Sequence, residues 1–553
     1  MQEMFEMWKT LAVAALLAAA APGQADTLYT NANGYTLDGK GVLHRFAMLV
    51  VGDDGKVKAT LAAGAALPAG ARVDMAGATL WPGLIDAHGH VMRLGELKLV
   101  VDLRDTASIP EALARIKAGT PAAGWIMGRG WNQERWYADG KLIGRFPTAA
   151  ELDAATGSRP AWFARVDGHA GWANSAAMKA AGITKDSKAP DGGEIIRDAA
   201  GNPTGVFVDK AMALITRAIP RDDAARLDLV LTKSLETMAE VGLTGAHDAG
   251  MDKDTWDRYV RFAQAGKLTA RIYAMAGGPD NRKAIAPNGP IPWRYNDLIA
   301  MQSMKLVSDV ALGSRGAYLI APYADMPNTR GLDITPAARL KTYITEASKD
   351  GFQVNVHAIG DQANRSTMDG FAAVPLAERV KLRHRNEHAQ IVDMADLGRF
   401  ADLKIIASMQ PTHATSDKGM AEARLGEGRL GGAYAWAQIK KSGAQLALGS
   451  DFPVEPADPM FGIHAAVTRQ SRDGLPAGGW RPWEKLSRED AFAGFTLWAA
   501  RAGHNDDKVG TLEPGRWADF ITLEQDPFTA PEGELWKIKV TATWLAGKQV
   551  FKR

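Results

Sequence analysis

The sequence predicts an α/β protein built on a (β/α)8 TIM-type barrel, with an insert after strand one and a small second domain drawn from both chain ends. Three observations predict it. Eight short strand-like runs, most of them apolar, recur along the chain, amphipathic helical patterns separate most of them, and histidines stand at or near several of their ends. Strands and helices in alternation favour a parallel barrel, whose strand ends converge at one C-terminal mouth. At 553 residues the chain also exceeds what one simple core holds, so a large domain with an accessory one is expected.

The chain opens with a leader. Lys9 precedes a short apolar run and small residues up to Ala25, the pattern of a secretory signal peptide over 1–25. Glu3 and Glu6 are unusual in such a leader, so Met7 is an alternative start. The competing reading, an uncleaved anchor, is opposed by the shortness of the apolar run. An export signal implies a bacterial periplasmic or secreted enzyme with no integral span in its mature form. With no cysteine, disulfides and thiolate ligands are excluded.

Residues 27–75 alternate short strands with Gly-rich turns, and 510–523 and 537–551 do the same. Regions 26–80 and 505–553 are therefore assigned to one composite domain, leaving 81–504 for the barrel. Barrel strands are predicted at 83–90, 243–248, 271–275, 303–308, 352–357, 382–388, 404–410 and 445–450, and helices at 222–240, 255–265, 336–349 and 489–501. The segment from about 95 to 241 is too long for a loop. It carries Trp125, Trp131, Trp136, Tyr137, Trp162, Phe163 and Trp172, which predicts an insert capping the mouth or, equally, aromatics that form the insert's own core.

The strand ends carry the chemistry. His88 and His90, two apart in an extended run, point to the same face, and Gly89 between them leaves room at a crowded barrel end. Neutral imidazole suits zinc or a similar metal, although histidines also satisfy ordinary buried hydrogen bonds. Lys305 lies inside an apolar stretch, where a cation is costly unless paired or neutralised. By strand count Lys305 falls on strand four, His357 on five, His388 on six and Asp451 on eight.

In order, the chain holds Pro-Gly-Leu-Ile-Asp-Ala-His-Gly-His (82–90), Val-Asp-Gly-His-Ala-Gly-Trp-Ala-Asn-Ser (166–175), Leu-Gly-Ser-Arg-Gly-Ala (312–317), Asn-Val-His-Ala-Ile-Gly-Asp (355–361), Asn-Glu-His-Ala-Gln (386–390), Met-Gln-Pro-Thr-His (409–413) and Gly-Ser-Asp-Phe-Pro-Val (449–454). This set resembles the amidohydrolase superfamily, in the branch called amidohydrolase family 3, which includes the N-substituted formamide deformylases. The resemblance covers nearly the whole chain after the leader. It implies that His88 and His90 bind one buried metal, His357 and His388 a second, and that Lys305, carboxylated by carbon dioxide to a carbamate, bridges them. Asp451 would be a metal ligand and the general base, and the cofactors two divalent ions of zinc type. It also implies that the two chain ends pair as a small β-sandwich. One departure stands out: the family follows the strand-four lysine with Asp-Gly, and this chain has Asp309-Val310.

The reaction expected of such a centre is hydrolysis of a carbon–nitrogen, amide-type bond other than a peptide bond by metal-activated hydroxide. Substrate contact is assigned to His169, Arg315, Tyr318 and His413, with Arg315 alternatively fixing its own loop. Hydrolysis of a cyclic amide or lactone, deamination of a heterocycle and a non-catalytic periplasmic binding protein are the alternatives. His247, His384 and His464 are read as structural. A net charge of +2 without a basic stripe excludes nucleic acid as a partner. The partner expected is a small molecule, and a homodimer stays open.

Overall fold

The computed structural model describes residues 26–553 apart from Ala122 and Asp167; the expected signal segment 1–25 lies outside the described residues. Eight strands run parallel in chain order: β1 (Leu84–Gly89), β2 (Leu243–Met251), β3 (Arg271–Gly277), β4 (Ile299–Val307), β5 (Gln353–Ala358), β6 (Arg385–His388), β7 (Ile406–Met409) and β8 (Gln445–Leu448). Each falls where the sequence placed it, to within a few residues. β1, β6 and β7 are buried along their whole length, as strands covered on both faces must be.

The ladder is unbroken from β1 to β8, and the ring is nearly closed by a seam between the two end strands. Gly89 bridges Phe452, the Asp451 amide donates to the His88 carbonyl at 2.7 Å, and the His90 amide donates to the Phe452 carbonyl at 2.8 Å. Beneath them the Asp86 carboxylate accepts the Ser450 hydroxyl at 2.6 Å and the His88 amide at 2.9 Å. Two glycines make this closeness feasible. A Cβ on Gly89 would lie 2.5 Å from the Phe452 ring, and one on Gly449 would lie 2.5 Å from Asp86 Oδ1.

Helices Ala224–Glu240 and Lys253–Gln264 start at Asp223 and Asp252, whose side chains accept backbone N–H groups of the first turn. Helix Ala337–Lys349 follows the expected pattern as well. The single helix expected at 489–501 is instead two, Arg488–Gly494 and Leu497–Ala502. The break frees the Phe495 carbonyl to accept the Ile85 amide of β1 at 2.7 Å, a partner from the far end of the chain that local periodicity could not reveal.

Two further sheets draw on both ends of the chain. One is six-stranded, with Thr79–Pro82 and Asn33–Leu37 beside Phe520–Leu523 and Val540–Leu545; the other is four-stranded and lies within 27–74. Tyr29, Leu49, Leu80, Phe520 and Trp544 form a core common to them. Arg271, at the start of β3, ties this region to the barrel through a buried ion pair with Asp519 at 2.6 Å.

Between β1 and β2 a six-stranded sheet spans 101–209, with Ala161–Arg165 and Ala170–Ala173 at its middle. Trp131, Trp136, Phe163 and Trp172 are fully buried in that sheet's own core, and Trp162 packs near Phe207, so these aromatics hold the segment together. Tyr137 is exposed.

Candidate functional site

The C-terminal ends of the barrel strands surround a cavity of about 800 Å³. His88, His90, Lys305, His357, His388 and Asp451 all line it, and His413, on the first turn of helix Pro411–Leu425, joins them. The strand ends are shaped to do this. His388 and Asp451 both adopt the left-handed backbone region, with φ of 75° and 60°. A non-glycine residue there costs of order 1–3 kcal/mol and persists only where its surroundings demand it. At both positions the turn brings the side chain to the mouth.

Ligand atoms of His88, His388 and Asp451 lie within 4.8 Å of one another, close enough to share one cation. Lys305 Nζ is 3.2 Å from His88 Nε2, and His90 Nε2 is 3.2 Å from Asp451 Oδ1. The His388 ring packs against those of His88 and His357, with centroids 4.6 Å apart in each pair. Two buried ring nitrogens here, His357 Nε2 and His413 Nε2, make no hydrogen bond, and Asp451 Oδ1 faces the His88 and His90 rings. Buried polar groups are ordinarily hydrogen-bonded, so unbonded ring nitrogens gathered beside a carboxylate suit a cation.

Residues around the cluster fix which ring nitrogen faces inward. Glu387 holds His88 Nδ1 at 2.5 Å, and Gln410 Oε1 holds His388 Nδ1 at 2.8 Å, so Nε2 of each ring is left for the cavity. Glu387 is in turn paired with Arg385 at 2.7 Å, whose guanidinium also reaches His247 Nδ1 at 2.7 Å and the Ala87 carbonyl at 2.5 Å. Reading histidines at strand ends missed Glu387, Arg385, Gln410 and Asp86. A signal for two of them was present, because Arg385 and Glu387 are charged residues at alternating positions of a short buried strand, the same anomaly that singled out Lys305.

The electrostatics favour metal-binding protonation states. Burial, with Lys305 beside it, pushes the His88 imidazolium down to about 4, and burial takes His357 to about 3, so both rings are neutral near pH 7. Burial opposes ionisation of Asp451, but the adjacent His90, His88 and His413 imidazoles hold its carboxyl down to about 2. Burial draws Lys305 down to about 8 against the pull of Glu387 and Asp451. Glu387 is held well below the usual carboxylate range by Arg385 and His88 despite complete burial.

The remaining candidates lie elsewhere. Arg315 is paired with Asp325 at 2.9 Å, and its side chain is not part of the cavity wall, in keeping with the loop-fixing alternative. Tyr318 gives its amide to Asp309 at 2.9 Å and is likewise outside the wall. His169 pairs with Asp209 at 2.9 Å on the insert, and no described residue of that segment lines the cavity. Asp309 also accepts the Ile359 and Gly360 amides at 2.9 and 2.8 Å, which fastens the loop after β4 to the end of β5. Val310, the residue that departs from Asp-Gly, is in the wall.

Comparison with known proteins covers the same ground. YtcJ of Bacillus subtilis is 31% identical over 490 residues, spanning 87% of this chain and 90% of that protein. The N-substituted formamide deformylase of Arthrobacter pascens is 28% identical over 553 residues, 96% of this chain and 98% of that one. A solved structure, an uncharacterized metal-dependent hydrolase of Pyrococcus horikoshii, matches with a TM-score of 0.75 and 28% identity over 92% of this chain and 99% of its own. A profile of the amidohydrolase family matches residues 71–551, the span that holds the barrel and its histidine and aspartate cluster, and the chain belongs to that family.

Proposed function

We propose that the protein is a metal-dependent hydrolase of an amide-type carbon–nitrogen bond, exported to the periplasm or beyond. The observation that carries the reading is the set of inward-facing imidazole nitrogens, two of them without a hydrogen bond, gathered with the Asp451 carboxylate beside Lys305 in one large cavity. The donor set fits divalent cations of zinc type: His88, His90, His357, His388 and Asp451 would hold them, with Lys305 between. Such ions supply a water of lowered pKa and polarise a substrate carbonyl.

The chain's own groups do the rest. Asp451, ionised at neutral pH, accepts the proton of the attacking water and delivers it to the departing nitrogen, so the products are an acid and an amine. His413 presents Nε2 to the substrate from 3.8 Å beyond Asp451 Oδ2. Lys305, lowered to about 8, holds a usable fraction of free amine near neutrality. Addition of that amine to carbon dioxide, with loss of a proton, would place an anion where a buried ammonium is costly, and Lys305 in that form would supply a carboxylate to hold the ions. The Arthrobacter relative, named for deformylation of N-substituted formamides, supports carbon–nitrogen cleavage. The leader at 1–25 supports export.

Metal analysis of the purified protein is expected to return about two zinc-like ions per chain, with amide hydrolysis that chelation abolishes and zinc restores. A metal-loaded protein that opens lactones and leaves every amide intact would overturn the carbon–nitrogen assignment.

A further inference from the structure

The cavity wall is unevenly charged. Away from the strand-end cluster, much of it is apolar, with Val307, Val310, Leu312, Ile334 and Met420 contributing. Among the described residues that line it, the acidic or basic side chains outside the cluster and His413 are Asp417 and Glu455, both carboxylates, and no arginine takes part. Asp417 accepts the Tyr434 hydroxyl at 2.7 Å and Glu455 accepts the Ser416 hydroxyl at 2.5 Å. Hydroxyls carry no charge to offset theirs.

The cations nearby are committed. Arg104, close enough to Glu455 for the two charges to interact, grips Asp102 at 2.6 and 2.9 Å. Lys418 turns its ammonium to the Thr415 carbonyl at 2.8 Å and to Ser471. Arg315, the sequence's candidate for a substrate carboxylate, is held by Asp325, as is Arg424. An anionic substrate therefore finds no counter-charge outside the metal cluster, and a cationic one finds two.

Position adds a length. His413 and Asp417 are four apart on helix Pro411–Leu425, which places them on one face, about 6 Å apart along the axis. With the scissile carbonyl near His413, a group carried some four carbons beyond the amide nitrogen reaches Asp417. The unpaired His413 Nε2 independently marks this part of the wall as a ligand-contacting one.

We propose that the substrates are N-acylated diamines, whose acyl chain lies against the apolar wall and whose free ammonium meets Asp417 and Glu455, and that N-acylated amino acids are rejected. The inference rests on the amide-hydrolase reading and names the substrate class of that same site. Its physical basis is charge selection in a partly desolvated cavity, where like charge is excluded more strongly than in water.

The test uses three probes of one length on the zinc-loaded protein: N-hexanoyl-1,4-diaminobutane, N-hexanoylbutylamine and N-hexanoyl-4-aminobutanoate. The expected order of kcat/KM is cation, neutral, anion, with cation and anion separated by about tenfold or more. Glu455→Gln should shrink the cation-to-neutral ratio. Equal or better turnover of the anionic probe overturns the inference while leaving amide hydrolysis intact, and so does an unchanged ratio in both Glu455→Gln and Asp417→Asn. If no probe is hydrolysed, the amide reading fails. The binding order of the same probes by calorimetry then decides the charge preference by itself, with tighter binding of the anion overturning it.

Discussion

The barrel buries polar clusters at both ends, and the two ends treat them oppositely. At the N-terminal floor, Arg271 makes two bonds to Asp519 at 2.6 and 3.0 Å and two more to the Asn296 and Asp297 carbonyls at 2.7 and 2.9 Å. His384 accepts the Val354 amide at 3.0 Å through Nδ1 and meets the Ser348 hydroxyl at 3.2 Å through Nε2. At the mouth, His413 and Asp451 are also buried and His357 is mostly so, yet the His357 and His413 Nε2 atoms make no hydrogen bond. Burial of a titratable side chain is therefore not the mark of the site. Single unbonded atoms occur elsewhere too, such as Asn505 Oδ1 near the floor, so what distinguishes the mouth is that two such ring nitrogens and a carboxylate converge on one open cavity, where a ligand can reach them.

The contrast predicts that damage at the mouth costs rate and damage at the floor costs stability. Asp451→Asn, which keeps the shape but not the proton acceptor, should lower kcat by about 10³-fold or more with little change in Tm. Retention of a tenth of the activity would break the assignment. At the floor, Arg271→Ala strands the buried Asp519 carboxylate and should cost about 3–5 kcal/mol of stability by denaturant titration, with kcat close to that of the parent in protein that stays folded. A large fall in kcat there would erase the distinction between the ends.

Lys305→Ala should remove the tightly bound second ion and lower activity by about 10²-fold, read by metal analysis and steady-state rates together. Full occupancy at a normal rate would remove the lysine from the centre. Glu387→Gln loosens the hold on His88 without touching the cavity and should weaken metal affinity by about 10–100-fold. An unchanged affinity would make Glu387 a floor-type residue.

The smallest effect is a pH slope. Burial pushes the His384 imidazole down to about 3, below its ordinary value near 6.5 in the unfolded chain. The unfolded state thus binds the extra proton first, and stability present above pH 6.5 is lost as pH falls from there toward 3, by up to about 1.4 kcal/mol per pH unit. His384→Gln should flatten that part of the profile; an unaltered slope would assign the acid sensitivity to other groups.

The two ends also differ in how far they could be read from the sequence. Parallel strands buried on both faces are mostly apolar runs, so seven stood out that way, whereas β6, Arg-Asn-Glu-His, was placed by its spacing between neighbours; His88, His90, His357, His388 and Asp451 stood out as polar residues at strand ends. Residues whose meaning depends on distant partners did not. Glu387 needs His88, 299 positions away, before it has a role, and the helix break near Phe495 needs Ile85. The sequence left Arg315 between substrate contact and loop fixing, since its partner Asp325 lies in a loop with no periodicity to place it.

The seam between β8 and β1 has a consequence for the life of the chain. Asp86 and Ser450, which close the ring, are 364 positions apart, and Asp451 and His88 meet only across that closure. A growing polypeptide therefore has no complete ion cage until almost its whole length has been made. If the cluster holds zinc as proposed, fragments lacking the last strand should compete poorly for it.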